Sequence, residues 1–460
     1  MKTSYSSETD TIAAIATAAG RGGVGIIRLS GVESLSIAQV ISSTILSPRH
    51  AHFSHFKDSN NVLIDTGIAL FFPGPASFTG EDVVELQAHG GPIILDLLLK
   101  ECCFLGARQA RPGEFSERAY LNNKIDLAQA EAIADLINST TDKAALNASQ
   151  SLQGVFSKKI DSLVSAVTQL RIYVEAAIDF PEEEIDFIGD GIVSKRLDDI
   201  IESLAGVENE AKQGSLVQEG MKLVIAGKPN AGKSSLLNAL SGQDSAIVTP
   251  IEGTTRDVLR EHIQIDGMPL HIVDTAGLRE SGDEIEQEGI RRAWRELESA
   301  DLIVLVIDGS ADDTGKSNSS SIWPDKNQFL KRDIPVVIVH NKSDLTESGP
   351  HINTSYENTV IHLSAKNGEG MDLLKEHLKK QMGYSEDGGG QFSARRRHLE
   401  SLRAASEYLQ TGKQQLQNAG AGELLAEDLR QCQISLGEIT GTVTSDELLG
   451  EIFSSFCIGK

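Results

Sequence analysis

The spacing of apolar residues along the chain changes three times. Over residues 1–120 they come in short runs broken by glycine turns. The runs are Gly25-Ile26-Ile27-Arg28-Leu29, then Asp65-Thr66-Gly67-Ile68-Ala69-Leu70-Phe71-Phe72, then the alternating Val83-Val84-Glu85-Leu86-Gln87. Period-two alternation marks strands, and the stretch predicts an α+β domain. From 124 to 215 the spacing becomes helical, with Ile125, Leu127, Ala130, Ile133, Ala134, Leu136 and Ile137 in sequence, until Pro181 and the acidic Glu182-Glu183-Glu184 interrupt it. Between 221 and 381 apolar strands alternate with polar helices, the pattern of a parallel α/β sheet. From 393 to 460 the helical texture returns, with Leu399, Leu402, Ala405 and Leu409 along one face.

Two helical stretches thus flank an α/β unit. The economical reading is one discontinuous helical domain into which the α/β domain is inserted, hinged at Gly214-Ser215 and at Gly388-Gly389-Gly390. Insertion is tolerated at exposed connections of this kind. The expected fold class is therefore multidomain, α/β plus α. Its segments are 1–122, an N-terminal α+β domain; 123–219, the first helical part; 220–383, the α/β domain; and 384–460, the second helical part. Ser310 to Lys326 is polar and serine-rich, and reads as a surface loop.

Composition narrows the partners. The chain has 460 residues, 40% apolar, enough for roughly three packed domains. No run approaches the ~18–20 apolar residues of a membrane span, and the N-terminal residues lack the basic start and apolar core of a signal peptide. A soluble, cytoplasmic protein is expected. Its 42 basic and 66 acidic residues give a net charge of −24, which argues against nonspecific adhesion to nucleic acid or anionic lipid. The four cysteines, Cys102, Cys103, Cys432 and Cys457, form no C-x-x-C pair, so neither a zinc ribbon nor a disulfide scaffold is implied.

Candidate chemistry is concentrated in the α/β stretch. Gly227-Lys228-Pro229-Asn230-Ala231-Gly232-Lys233-Ser234 matches G-x-x-x-x-G-K-S, and it follows the apolar Leu223-Val224-Ile225-Ala226 and precedes a predicted helix. Loop amides in this context wrap phosphates, the lysine reaches the outer phosphates and the serine hydroxyl sits on Mg²⁺. Asn341-Lys342-Ser343-Asp344 follows a second apolar run. Its aspartate can accept from the two adjacent N–H groups of guanine, a donor pair that adenine lacks. Ser364-Ala365-Lys366 follows a third strand and suits the loop that covers the base from the other side. Asp274 closes the strand Leu270-His271-Ile272-Val273 and suits a water-mediated Mg²⁺ contact. Three look-alikes fail on context. Asn123-Lys124-Ile125-Asp126 follows no strand; Gly315-Lys316-Ser317 is one residue out of register; and Gly20-Arg21-Gly22-Gly23-Val24-Gly25 leads into a strand, where a dinucleotide fold needs a helix.

One residue raises a question of mechanism. Ras-type enzymes carry a glutamine soon after D-x-x-G to aim the attacking water, but here Leu278 follows Gly277. Asn230, with carbonyls of the loop Thr249-Pro250-Ile251-Glu252-Gly253-Thr254-Thr255, is a candidate holder of a weakly hydrated monovalent cation. Such a cation would stabilise charge as an arginine finger does, an effect worth about 10³–10⁵ in rate. Thr255 suits a second Mg²⁺ ligand. Asp283, Glu284, Glu286 and Glu288 are the carboxylates available to the water, and spacing does not choose among them.

PNAGKSSLLNAL, the IVTPIEGTTRD loop and DTAGLRESGDEIEQEGI resemble the MnmE (TrmE) family of tRNA uridine-modifying GTPases. The resemblance extends to GRGGVGIIRLSG, SFTGEDVVELQAHGG, RPGEFSERAYLNNKIDLAQAEAIADLI and FCIGK, nearly the whole chain in order. It implies a folate-binding-like N-terminal domain that also dimerises, and an inserted Ras-like P-loop GTPase domain. The implied nucleotide contacts are Asn230, Ala231, Gly232, Lys233, Ser234 and Ser235, then Thr249, Pro250, Ile251, Glu252, Gly253, Thr254 and Thr255. Asp274, Thr275, Ala276 and Gly277 follow, with Asn341, Lys342, Asp344, Ser364, Ala365 and Lys366 around the base. K⁺ ligands match Asn230, Thr249, Ile251 and Thr254, Mg²⁺ ligands match Ser234 and Thr255, and the catalytic glutamate matches Glu286.

The family's folate contacts match Arg28, Glu85, Lys124 and Lys460, the ligand being a tetrahydrofolate derivative, 5-formyl or methylene. Cys457 matches a C-terminal cysteine with a candidate thiol role. The implied activity is K⁺-stimulated GTP hydrolysis coupled to modification of the wobble uridine (position 34, carbon 5) of certain tRNAs to the carboxymethylaminomethyl form. The implied partners are a second copy, tRNA, and the FAD-dependent MnmG (GidA) in a heterotetramer or larger complex. Two other classes compete. A ribosome-assembly GTPase usually carries a basic RNA-binding domain, which is not evident here; a stand-alone folate-dependent transferase would leave the wobble uridine alone.

Overall fold

A computed structural model describes residues 10–179, 191–228, 230–241, 260–274, 300–310, 334–346, 349–354, 358–384, 391–419, 421–443 and 446–459. The chain divides into two compact units. One comprises Met1–Ala134, Ile160–Thr168 and Arg430–Lys460; the other comprises Asp135–Lys159 and Gln169–Leu429.

The first unit opens with β1 (Ile12–Ile15), β2 (Gly22–Ser30), α1 (Ser34–Ser42), β3 (His52–Lys57), β4 (Leu63–Phe72), β5 (Val83–Gly90), α2 (Pro92–Phe104), β6 (Arg108–Gln109) and α3 (Glu114–Leu121). Its strands form one sheet in the order β3-β4-β5-β2-β1-β6, antiparallel except for β1 and β6. Alternation decides its faces. Ile27 and Leu29 of β2 and Val84 and Leu86 of β5 are fully or almost fully buried beneath Ile37, Ala38 and Ile41 of α1 and Leu95 and Leu98 of α2. Burial of each large aliphatic side chain contributes about 1.5–3 kcal/mol. The alternate residues, Arg28 and Glu85 among them, point to the other face. The predicted runs at 25–29, 65–72 and 83–87 lie in β2, β4 and β5. The glycine segment does more than lead into a strand: β2 already begins at Gly22, with a register irregularity between Gly22 and Gly25.

The helices that follow are α4 (Leu127–Asn138), α5 (Asp142–Leu152), α6 (Val155–Asp179) and α7 (Ile192–Glu219). The α/β stretch supplies β7 (Met221–Gly227), α8 (Lys233–Ser241), β8 (Arg260–Ile265), β9 (Met268–Asp274), β10 (Leu302–Asp308), β11 (Val336–Asn341), β12 (His351–Asn353), β13 (Thr359–His362) and α9 (Met371–Met382). After it come α10 (Arg396–Ala419), α11 (Gly422–Thr440) and α12 (Asp446–Ser454).

The sheet of the second unit runs β12-β13-β11-β10-β7-β9-β8. β9, β7, β10, β11 and β13 are parallel; β8 and β12 are antiparallel edges. All six residues of β11 are buried, as expected of a strand covered on both faces. Chain order reverses at β7, and in open α/β sheets a ligand crevice opens at the carboxyl ends of the strands at such a point.

The expected hinge at Gly214-Ser215 is not one. Both residues lie buried inside α7, which runs on to Glu219. A Cβ at 214 would stand 2.2 Å from the Phe392 carbonyl oxygen, so this glycine serves close packing. Nearby, Phe392 stacks on Phe156 with ring centroids 4.5 Å apart. Of the predicted stripe on α10, Leu402, Ala405 and Leu409 are fully buried and Leu399 is half-buried, whereas Leu136 and Ile137 of α4 are exposed. Cys102 and Cys432 are buried thiols; Cys457 is exposed. Burial pushes the Cys432 thiol up to about 12. Among the described residues no helix is long and apolar enough to cross a membrane.

Candidate functional site

At the carboxyl end of β7 the backbone turns through Asn230 and Gly232, both with positive φ (64° and 95°), before α8 begins at Lys233. A Cβ on Gly232 would stand 2.1 Å from Asn341 Nδ2. The Lys233 ammonium donates to the carbonyls of Gly227 (2.9 Å) and Lys228 (3.2 Å), so it lies over its own loop. Ser234 and Ser235 are exposed in the first turn of α8. Backbone amides at a helix start have no intrahelical acceptor and, with the helix dipole, favour an anion there. β7 and β9 pair in parallel with Ile225 opposite Asp274, which brings Asp274 level with the end of the strand that feeds the loop.

Asn341 links this loop to the next. Its side chain is buried, its Nδ2 donates to Ala231 O at 3.0 Å, and its Oδ1 accepts from Ala365 N at 3.0 Å. Ser364 Oγ donates to Asp344 Oδ1 at 2.6 Å, and Ser343 N donates to Leu363 O at 3.1 Å. Asp344 and Lys366 remain exposed. Two residues escaped the sequence reading. Asp308, at the end of β10, pairs with Lys342 Nζ at 2.5 Å, and the hydrogen bond from Lys342 holds its carboxyl below the usual range. Gly309 N donates to Asn341 O. The available signal was the apolar run of β10 ending in Asp-Gly. The predicted residues Thr249, Pro250, Ile251, Glu252, Gly253, Thr254, Thr255, Thr275, Ala276, Gly277 and Glu286 lie outside the described residues, and so does Lys460.

The first unit holds a second group. Arg28 and Glu85 are direct cross-strand partners, with Arg28 Nη2 donating to Glu85 Oε1 at 2.9 Å. The guanidinium lies 5.7 Å from the Phe78 ring and 5.8 Å from that of Phe115. Lys124 Nζ donates to Pro75 O at 2.9 Å, so the 74–80 loop borders both Arg28 and Lys124. Phe78 and Phe115 were not anticipated, since nothing local in the sequence marks them.

An ion network steadies the base of that loop. Arg118 donates to Glu81, Glu114 and Asp10, while Arg108 donates to Glu114 and Asp10. Burial alone would raise the Glu114 carboxyl, but hydrogen bonds from Arg108 and the Arg111 amide, with the arginine charges, hold it at about 2. The FCIGK segment packs here too. Gly113 N donates to Cys457 O, and Pro112 bridges Ile458. A Cβ on Gly459 would stand 2.3 Å from Ile15 O. Ile15 adjoins Ala14, the register partner of Arg28, so the tail reaches the strand beside the Arg28–Glu85 pair.

The family model described as "GTP-binding protein TrmE N-terminus" matches residues 11–124, and "MnmE helical domain" matches residues 127–457. The tRNA modification GTPase MnmE of Marinobacter nauticus is 60% identical over 454 residues, covering 98% of this chain and 99% of its own. The chain belongs to the MnmE (TrmE) family. A second MnmE, from a Marinomonas species, is also 60% identical, over 99% of both chains. Among solved structures, the G domain of the T. maritima FeoB iron transporter aligns with 35% of this chain and 98% of its own at 25% identity. Its TM-score of 0.26 carries no weight for the fold, which rests on the strand order above. In this member of the MnmE family the 227–234 loop and the Ser364–Lys366 loop meet at Asn341, and the Arg28–Glu85 pair belongs to the segment matched by the TrmE N-terminal model.

Proposed function

We propose that the chain is a K⁺-stimulated GTPase that works with an FAD-dependent partner of the MnmG (GidA) kind. Together they would convert carbon 5 of the wobble uridine (position 34) of certain tRNAs to the carboxymethylaminomethyl form, with a one-carbon unit from a tetrahydrofolate derivative. GTP hydrolysis in tRNA modification is the activity for which its relatives are named. The observation that carries the nucleotide reading is the Asn341 bridge, 3.0 Å to the phosphate loop on one side and 3.0 Å to the Ser364–Lys366 loop on the other. A guanine nucleotide lying along it meets Asp344 at the base and Lys233 at the phosphates.

Ser234 and Thr255 would hold Mg²⁺; Asn230, Thr249, Ile251 and Thr254 would hold K⁺. Asn230 suits this role because it is exposed, in left-handed backbone, beside the loop amides. Bound there, the cations supply positive charge where an arginine finger otherwise does. Glu286 orients the water that Leu278 cannot. Arg28, Glu85, Lys124 and Lys460 would hold the folate. The observed carboxylate, fixed by an arginine beside two aromatic rings, suits a flat heterocycle with adjacent N–H donors, and the folate supplies the one-carbon unit. Cys457 is the candidate thiol. The chain acts as a cytoplasmic homodimer, organised as the segments 1–122, 123–219, 220–383 and 384–460, in a heterotetramer or larger complex with its partner.

GTP hydrolysis in KCl and NaCl at equal ionic strength tests the reading, with Glu286→Ala alongside. Strong K⁺ stimulation, lost in the variant while GTP still binds, is expected. Equal rates in the two salts overturn the cation assignment. Persistence of the modified wobble uridine in a deletion strain overturns the tRNA role.

A further inference from the structure

The antiparallel hairpin of β8 and β9 is held at its closed end. Its turn is Asp266-Gly267, with φ of 51° and 83°, the backbone signature of a two-residue type I′ turn. Tyr384, buried just beyond α9, donates its hydroxyl to Asp266 O at 2.8 Å. Lys143, in the first turn of α5, donates to that same hydroxyl at 3.0 Å, and its ammonium lies 5.0 Å from the ring centroid. Lys379 of α9 pairs with the Asp266 carboxylate at 2.8 Å. The β9 strand is pinned as well, since His271 Nε2 lies 2.8 Å from Glu219 O at the end of α7. Ala144 of α5 and Val217 of α7 share one apolar core with Ile265, Met268 and Tyr384.

The open end of the same hairpin lies at the opposite end of the sheet. Thr255 precedes β8 by five residues, and Gly277 follows β9 by three. One two-stranded ribbon with six registered pairs therefore joins the two nucleotide-sensing segments to a turn that α5 and Tyr384 hold. A registered ribbon shifts as a body more readily than it shears, because sliding by one residue would turn its buried side chains to the wrong face.

We propose that Lys143 and Tyr384 are positioning residues that fix this turn and thereby tie the nucleotide state of the GTPase sheet to helix α5. The proposal rests on the GTPase reading above. Neither side chain belongs to the nucleotide site, so each can be changed without touching the hydrolytic groups.

The test is amide hydrogen exchange of residues 142–152 in the full chain, with GDP and with GDP plus aluminium fluoride, beside GTP hydrolysis on the same samples. The parent is expected to show a severalfold difference in α5 exchange between the two states. Lys143→Met and Tyr384→Phe should hydrolyse GTP within about twofold of the parent and lose that difference; Lys143→Arg should keep it. Tyr384→Phe retains the buried ring, so a folding defect does not imitate the result. Hydrolysis intact with no state-dependent exchange in the parent overturns this inference alone, as does a difference that survives in both variants. A parent that does not hydrolyse GTP overturns the GTPase reading and this inference with it.

Discussion

Replacing Gly232 by alanine tests how the phosphate loop is held. The backbone there has φ of 95°, and an added methyl would come within 2.1 Å of Asn341 Nδ2. Left-handed backbone costs an L residue roughly 1–2 kcal/mol. Displacing the Asn341 amide also loses its bond to Ala231 O and loosens the one from Ala365 N, at about 1 kcal/mol each. The Gly232→Ala change should therefore cost about 3 kcal/mol, divided between loop stability and nucleotide affinity. Placed wholly on affinity, that is roughly two orders of magnitude. The assay is titration of a fluorescent GDP analogue into the parent, Gly232→Ala, Asn341→Ala and the double variant, with thermal unfolding in parallel. Once the Asn341 amide is gone, the alanine should cost only backbone strain, so the double variant should be less impaired than two independent losses imply, by about 1–2 kcal/mol. Strict additivity, or a Gly232→Ala chain that binds within a fewfold of the parent, would refute the reasoning.

On the proposed base site, Asp344→Asn replaces the acceptor offered to guanine N–H donors with an amide; it should weaken GTP by about two orders of magnitude or more, from charge-assisted bonds of about 1.5–3 kcal/mol each, and improve binding of xanthosine nucleotides in competition assays. Unchanged guanine preference would remove Asp344 from the base site. Glu114→Gln removes the carboxylate that Arg108, Arg111 and Arg118 share, and should cost about 3 kcal/mol at neutral pH. The sign of its pH dependence follows from a carboxyl depressed to about 2 from its ordinary 4.5. The unfolded chain takes up the proton first, so the stabilisation is complete above pH 4.5 and lost as pH falls towards 2. The gap in urea midpoint between parent and variant should close across that window; a constant gap would show that the lost interaction is not ionic.

What could be read from the sequence depended on whether the cause was local. The strands β2 and β5 were legible because one face of each is buried, which forces period-two alternation. The edge strand β8, Arg260-Glu261-His262-Ile263-Gln264-Ile265, has two apolar residues, and its partner β9 defines it. The phosphate loop, Asn341 to Asp344 and Ser364 to Lys366 each act as contiguous segments, so their chemistry is written in consecutive letters. The Asp308–Lys342 pair joins the end of β10 to the residue just after β11, across 34 residues, and the Arg28–Glu85 pair spans 57 residues. Such contacts depend on register, which no short window contains. The aromatic neighbours Phe78 and Phe115 were hidden for the same reason. Gly214-Ser215 was misread because a small-residue pair means either freedom or close approach, and only the Phe392 carbonyl shows which.

The seating of Gly459 against Ile15, and of the Gly441 carbonyl on the Tyr120 hydroxyl, bears on how the molecule is made. Tyr120 and Gly441 are 321 residues apart in the chain, and Ile15 and Gly459 are farther still. At a synthesis rate of about 5–20 residues per second, a ribosome needs roughly 20–90 s to travel from the first strand to the segment that packs against it. During that interval the sheet of the first unit stands with its β1 end uncovered, while the entire GTPase segment is translated. A chain that stops short of Gly459 would leave the first unit without the segment that packs on Ile15, however well its sheet had formed.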